Sequence, residues 1–276
     1  LFNRCTKSMF EPINVKAIDF FAVSQPDAVR LFHGRGQLHP GLEHISIDWY
    51  PPVLLITVYQ DDDQLPRLAE QMQAADIDGQ IASISVQSRN HKGTPVQWLF
   101  GEPIEKCVVQ ENDLMFEVQP SANQNVGLFL DMQPLRFWLT KNSDGKNLLN
   151  LFAYTCSLSV AALAGNARQV VNVDMSKPSI QWGERNHSLN GHDLRNVRSV
   201  PHNVFRSWGR LQQFGGYDTI IIDPPSRQRG SFNAEKSYVA VIKKLKQLAN
   251  PNADIIATIN SPYLNEAHRM FRETLA

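Results

Sequence analysis

The sequence predicts an α/β protein whose main part is a parallel sheet with helices on both faces, preceded by a smaller α+β domain. Three observations carry that expectation. From Lys146 onward, short apolar runs alternate with segments of helical period, the pattern of parallel strands joined by helical crossovers. One of those runs, YDTIIID at 217–223, is continuous and β-branched, as a strand covered on both faces must be. Residues 1–126 break the alternation and include a hairpin pattern, so the boundary is expected near Val126.

The elements follow in order. In the first part, VLLITVY and IASISV read as strands on either side of a helix, LPRLAEQMQAA. KCVVQENDLMFEVQ reads as a hairpin turning at Glu111, Asn112 and Asp113. Trp49, Tyr50, Pro51 and Pro52 read as a packed edge. In the second part, KNLLNLF is a strand and SLSVAALAG a helix closed by Gly165. QVVNVD is a strand, after which Ser176 is placed to cap the helix KPSIQWGERNHSLN, with Pro178 in its first turn. VRSVP is a short strand, NVFRSWGRLQQF a helix ended by Gly215 and Gly216, and YDTIIID the fourth strand. EKSYVAVIKKLKQLA is an amphipathic helix and ADIIATIN a fifth strand. NEAHRMFRETLA suggests one more helix, and the expectation is a C-terminal end that is incomplete.

Composition narrows the classes. The chain has 276 residues, enough for two domains, and no apolar run reaches the roughly 18 residues of a membrane helix. Its three cysteines, Cys5, Cys107 and Cys156, form no CxxC pair, so neither a disulfide framework nor a cysteine zinc site is indicated, and no metal is expected. A reducing, cytoplasmic setting is the simplest reading. Net charge is zero, yet residues 1–126 hold 9 Lys and Arg against 16 Asp and Glu, while 127–276 hold 18 against 11. A basic half beside an acidic half is expected where one half faces a polyanion.

In an open α/β sheet the ligand sits beyond the carboxyl ends of the strands, at the switch point. The turn after Phe152 and the acid Asp174, which follows 22 residues later, then face one ligand, with the acid at ribose-hydroxyl spacing. The turn Ala153-Tyr154-Thr155-Cys156-Ser157 contains no glycine, so the backbone is not prepared for pyrophosphate. A ligand with ribose and adenine but no phosphate fits, and S-adenosylmethionine is one. The other signal is Asp223-Pro224-Pro225-Ser226 after the fourth strand. Two prolines remove N–H donors, leaving carbonyls and a carboxylate to accept from an exocyclic amine.

Residues 127–261 resemble the Rossmann-like S-adenosylmethionine-dependent methyltransferases, specifically the group containing bacterial 23S rRNA 5-methylcytosine and 7-methylguanine methyltransferases. GLFLDMQPLR, NLFAYT, VVNVDMSKPSIQWGERNHSLNG and DPPS carry the resemblance, and HPGLEHISIDWYPPVLLITVY is similar to the small α+β domain that precedes the catalytic domain there. The resemblance implies donor contacts from Asp131, from Asn150 and the turn residues Phe152, Ala153, Tyr154 and Thr155, from Asp174, Met175 and Ser176, and from Asn203 and Asp223. It implies a target oriented by Asp223, Pro224 and Pro225, with Asn260 assisting. Ser226, Arg227, Arg229 and Phe232 are candidates for phosphate contact and base stacking. This chain departs from the group at Cys156 and Ser157, where glycine is usual, at Gln133, where arginine is usual, and at Asn203, where an acid is common.

The function expected is methylation of a nucleobase in large-subunit ribosomal RNA. Methylation at cytosine C5 needs a thiolate in the substrate crevice. The loops after the fourth and fifth strands hold none, so a nitrogen target is favoured. A non-catalytic RNA-binding or assembly protein with a donor pocket, and a nicotinamide-dependent oxidoreductase, are the alternatives. The sequence leaves the oligomeric state open between monomer and homodimer.

Overall fold

The computed structural model describes residues 9–121, 125–224, 227–228 and 232–258, with the backbone alone for 227, 228 and 232–239. The chain divides into two compact units, Leu1–Gln133 and Pro134–Ala276. The division falls a few residues beyond Val126. The linking segment packs with the first unit: the Tyr50 hydroxyl donates to the Leu128 carbonyl at 2.9 Å, and Leu128 is buried.

The first unit holds helix α1 (Glu11–Phe21), strands β1 (Val29–His33), β2 (Ile45–Tyr50) and β3 (Val53–Val58), helix α2 (Leu65–Ala75), and strands β4 (Ser83–Ser88) and β5 (Val96–Phe100). These five strands pair in chain order, all antiparallel except β3 with β4, whose connection is the α2 crossover. Apolar residues at helical spacing, Phe10, Ile13, Ala17 and Phe21 with Leu68, Ala69 and Met72, bury both helices against the sheet. Trp49 and Tyr50 correct the expectation of a packed edge. β2 lies between β1 and β3, both rings are buried, and Phe21 meets Trp49 edge to face at 5.3 Å. The hairpin β6 (Cys107–Glu111) and β7 (Leu114–Val118) turns at Asn112 and Asp113, both at positive φ as a tight two-residue turn requires.

The second unit holds α3 (Gln133–Asn142), β8 (Asn147–Leu151), α4 (Ser157–Ala164), β9 (Gln169–Val173), α5 (Lys177–Leu189), β10 (Val197–Val200), α6 (Trp208–Gln213) and β11 (Tyr217–Ile222). The two-residue strands β12 (Arg227–Gln228) and β13 (Phe232–Asn233), helix α7 (Ala234–Leu245) and strand β14 (Ala249–Ala257) follow. The main sheet has the order β10-β9-β8-β11-β14 and is parallel throughout. One face carries the apolar cluster of Leu149, Leu151, Val171, Val173, Ile220 and Ile222. The helix expected over 203–214 is broken. The Asn203 side chain accepts from the Phe205 N–H at 2.8 Å and closes a 3-10 turn, Val204–Arg206, before α6 starts. A side chain that bonds its own backbone competes with helix propagation, and here it wins.

Beneath α4 and α5 lies a buried polar chain. The Ser159 hydroxyl donates to the Cys156 carbonyl at 3.0 Å, so its oxygen must accept from His187 Nε2, also at 3.0 Å. His187 Nδ1 is then the acceptor facing His192 Nδ1 at 3.1 Å. Burial and the neighbouring His192 push the His187 pKa down to about 3. The unfolded chain takes up this proton near pH 6.5, whereas the folded chain refuses it until about pH 3. Stability is therefore full above the unfolded value and is lost as pH falls through the window between the two. The urea midpoint should fall steeply across that window, by an amount worth a few kcal/mol, and His187→Gln should flatten the fall. An equal pH dependence in the variant would assign the effect to other groups.

Candidate active site

The crevice is built by the strand ends. The chain runs from β8 outward to β9 and β10, then returns to β11 on the other side of β8, so the switch point lies between β8 and β11. Leu151 pairs with Val173 on one side and Ile222 on the other. The next residues, Phe152, Asp174 and Asp223, are therefore neighbours at one end of the sheet.

The glycine-free turn does what glycine would otherwise do. Phe152, Tyr154 and Cys156 have φ of 62°, 47° and 62°, the left-handed region that a β-carbon disfavours by roughly 1–3 kcal/mol each. Hydrogen bonds from neighbouring elements and within the turn hold this backbone. The Ala153 N–H donates to the Val173 carbonyl at 3.0 Å, the Tyr154 N–H to Asp174 Oδ2 at 2.9 Å, and the Cys156 N–H to the Ala153 carbonyl at 2.8 Å. The Asn186 amide donates to the Thr155 carbonyl at 2.9 Å. Cys156, where the related group carries glycine, is thus left-handed as glycine would be.

Asp174 has two duties visible in the fold. Oδ2 holds the turn through Tyr154, and Oδ1 accepts from the Ser176 N–H at 2.8 Å. Each oxygen keeps a second lone pair for a ligand hydroxyl. Burial raises the Asp174 pKa, and the two N–H donors oppose that rise. Ser176 caps α5 as expected, accepting from the Ser179 N–H at 3.2 Å, and Met175 is exposed beside it. Asn203 stands just beyond the end of β10 with its oxygen in the 3-10 turn.

Asp223 is half-buried and accepts from the Thr258 hydroxyl, which ties the end of β11 to the end of β14. Pro224 is buried. Arg227 and Phe232 fall on the paired strands β12 and β13, where the backbone of Arg227 pairs with Asn233 and that of Gln228 with Phe232. Pro225, Ser226, Arg229, Asn260 and the expected C-terminal helix lie outside the described residues. Asp131 is exposed in the turn Leu130–Met132, in the first unit.

Asn150 is not brought to the crevice. It pairs across the sheet with Asn172, its amide donating to Asn172 Oδ1 at 3.0 Å, and both side chains are buried. Its position two residues before Phe152 places it inside the strand, on the face opposite Leu149 and Leu151. Asn150 Oδ1 and Asn172 Nδ2 are left without a partner.

Sequence reasoning missed the residues that hold the turn from behind. Asn186, Trp182 and Gly183 all lie on α5: Trp182 stands 6.3 Å from the Tyr154 ring, and Arg136 of α3 reaches Ser157 Oγ at 3.4 Å. Cys156 is buried, and burial with nearby Asp174 and Glu184 raises its pKa, so it stays a protonated thiol. Gly183 lies against the turn: a β-carbon there would lie 2.2 Å from Cys156 Sγ and 2.7 Å from its Cβ. Gly183→Ala should cost about 1–3 kcal/mol in stability by overpacking. Adding Cys156→Gly removes both contacts and should restore most of it, as read by urea unfolding. No recovery in the double variant would show that α5 is not seated on the turn as described.

A parallel sheet in this order, with an acid after the second strand and no pyrophosphate loop after the first, defines a Rossmann-like crevice for an adenosine ligand without phosphate. Comparison with known proteins agrees. A family model described as S-adenosylmethionine-dependent methyltransferase matches residues 29–275, and the chain belongs to that family. This removes the nicotinamide-dependent oxidoreductase reading. A ribosomal RNA large subunit methyltransferase K/L of Vibrio cholerae is 31% identical over 232 residues, covering 79% of this chain and 32% of that protein. The chain thus spans about a third of the length of the curated relatives it matches. A crystal structure described as a methyltransferase complexed with SAH superposes with a TM-score of 0.82 at 26% identity, covering 97% of this chain and 71% of that one. A Streptococcus mutans structure described as SAM-dependent reaches 0.76, also at 26% identity, covering 95% and 70%. Among the described residues no helix is long and apolar enough to cross a membrane, and no group of three or more His, Cys, Asp or Glu is placed to hold a metal.

Proposed function

We propose that this chain transfers a methyl group from S-adenosylmethionine to a nucleobase of large-subunit ribosomal RNA, at a ring or exocyclic nitrogen. The observation that carries the reading is the adjacency of two acids on either side of the tied turn, Asp174 after β9 and Asp223 after β11. Asp174 serves the ribose hydroxyls of the donor, and the turn at Phe152 and Tyr154 lies beside them. Ser176 and Met175 continue that wall, and Asn203 meets the adenine edge. When bound, the donor supplies a methyl already activated by its sulfonium. The chain's own work is positioning. Asp223 and the Pro224 carbonyl accept hydrogen bonds from the target amine and align its nitrogen, and Thr258 fixes the Asp223 carboxylate in place.

A base in structured RNA must be splayed out to reach that position, which is cheapest in a loop or bulge. Ser226, Arg227, Arg229 and Phe232 belong to the segment that would meet the RNA, and Asn260 assists from beyond β14. Residues 1–126 serve as a substrate-recognition domain, and a bacterial cytoplasmic setting follows from the RNA target. A cytosine C5 target is disfavoured because the stretches 223–226 and 260–262, after the fourth and fifth strands, hold no cysteine and the Cys156 thiol is buried. The test is mass-spectrometric mapping of ribosomal RNA from cells with and without the protein, which should show loss of one N-methylated base. A covalent adduct with 5-fluorocytosine RNA, or no change in any modification, would overturn the reading.

A further inference from the structure

We propose that the outer edge of the second unit's sheet, along β10 and α6, is a docking surface for the phosphate backbone of structured RNA, apart from the crevice that takes the target base. The proposal rests on the RNA reading above. Among the described residues β10 is an edge strand, and the segment 191–216 that contains it has four arginines, Arg195, Arg198, Arg206 and Arg210, against one acid, Asp193. That acid is engaged, since Asp193 Oδ2 lies 2.6 Å from Arg195. The acids of neighbouring elements are engaged too: Glu184 accepts from the Ser199 hydroxyl at 2.7 Å, and Asp218 accepts from the Asn147 N–H and from Asn250. Arg198, Arg206 and Arg210 are exposed and have no acidic partner among the described residues.

Two of these charges are also brought together. The Arg198 and Arg210 guanidinium carbons lie 4.6 Å and 5.7 Å from the centre of the same ring, Phe214. Arg210 and Phe214 are four residues apart, one helical turn, while Arg198 arrives from β10. The ring fixes both cations within about one Debye length of each other, so they repel through water and would be relieved by a shared anion. Phe205 and Trp208, edge to face at 6.3 Å, and the exposed His202 continue the surface toward the strand's C-terminal end. Fixed, unpaired guanidiniums interleaved with aromatic rings suit phosphate oxygens, to which each can donate two hydrogen bonds.

The experiment measures binding of a fluorescein-labelled RNA hairpin by anisotropy across a KCl series. Arg198→Ala/Arg210→Ala should weaken binding at least tenfold at low salt and reduce the log–log salt slope by about 1.5–2, the share of two phosphate contacts. S-adenosylmethionine affinity by calorimetry should not change. Arg198→Lys/Arg210→Lys keeps the charge and should keep most of the slope, which separates phosphate contact from packing on Phe214. The charge-matched control Lys243→Ala/Lys246→Ala, at the C-terminal end of α7, should keep the native slope. The surface is overturned by a native slope in the alanine pair, by equal loss in the lysine pair or the control, or by a change in self-association alone, which would make the edge a contact with a second copy. A native chain that methylates RNA while the alanine pair keeps its slope removes only the surface. A native chain that binds neither S-adenosylmethionine nor RNA removes the functional reading as well.

Discussion

Asp223→Ala should leave S-adenosylmethionine binding near native while methyl transfer to unmodified ribosomal RNA falls on the order of 10²–10³-fold, the range for deleting one preorganised polar group at a reacting centre. Asp223 follows the strand that pairs directly with β8, so its backbone stands beside that of Phe152 at the end of the sheet. The buried Pro224 that follows it has no N–H to donate, so the end of β11 offers acceptors and is suited to an amine. The variant also breaks the contact with the Thr258 hydroxyl, so Asp223→Asn is the companion. It keeps one acceptor oxygen and should recover part of the rate. Thr258→Val, which removes this tie and keeps the carboxylate, should lower the rate less than Asp223→Ala. Donor affinity that collapses together with turnover would move Asp223 from the target to the donor.

Asp174→Ala should weaken S-adenosylmethionine by about 1.5–3 kcal/mol, the value of hydrogen bonds to a charged acceptor. Two mechanisms contribute, and the structure separates them. In the proposed site the carboxylate would accept from the ribose, and in the fold it holds the Tyr154 N–H of a turn in which three residues are left-handed. Asp174→Asn distinguishes the two. An asparagine can still meet ribose hydroxyls through its oxygen and amide, but it cannot accept from both the Tyr154 and Ser176 N–H groups without aiming its own NH₂ at one of them. A loss in Asp174→Asn nearly as large as in the alanine variant makes the turn the main beneficiary. A small loss makes it the ribose. Unchanged calorimetric affinity in both variants would sink the donor assignment to this acid.

Much of this protein could be read before any fold was known. The alternation after Lys146, the β-branched run at 217–223 and the 22-residue interval from Phe152 to Asp174 are local patterns, and local patterns survive translation into structure because hydrogen-bonding geometry sets their periods. The same holds for the hairpin at Asn112 and Asp113 and for the Ser176 cap. Where local chemistry competed with the pattern, the reading failed. Asn203 broke an expected helix because its side chain bonded its own backbone.

Other features depended on contacts between distant residues. Trp49 and Tyr50 read as an edge, because nothing in their own segment shows that β1 will cover β2 on its open side. Asn150 belonged to a motif expected to face the donor, yet strand alternation turned its side chain toward Asn172. The glycine-free turn is the clearest case. The sequence by itself determined that no pyrophosphate loop was present and that an acid stood at ribose spacing. Only the tertiary structure decided how Phe152, Tyr154 and Cys156 could be left-handed without glycine: Asp174 from β9, and Asn186 with the bare Cα of Gly183 from α5, hold that backbone from two sides. Strain of that kind is tolerated only when surrounding elements over-determine it, and those elements are separate from the turn in the chain.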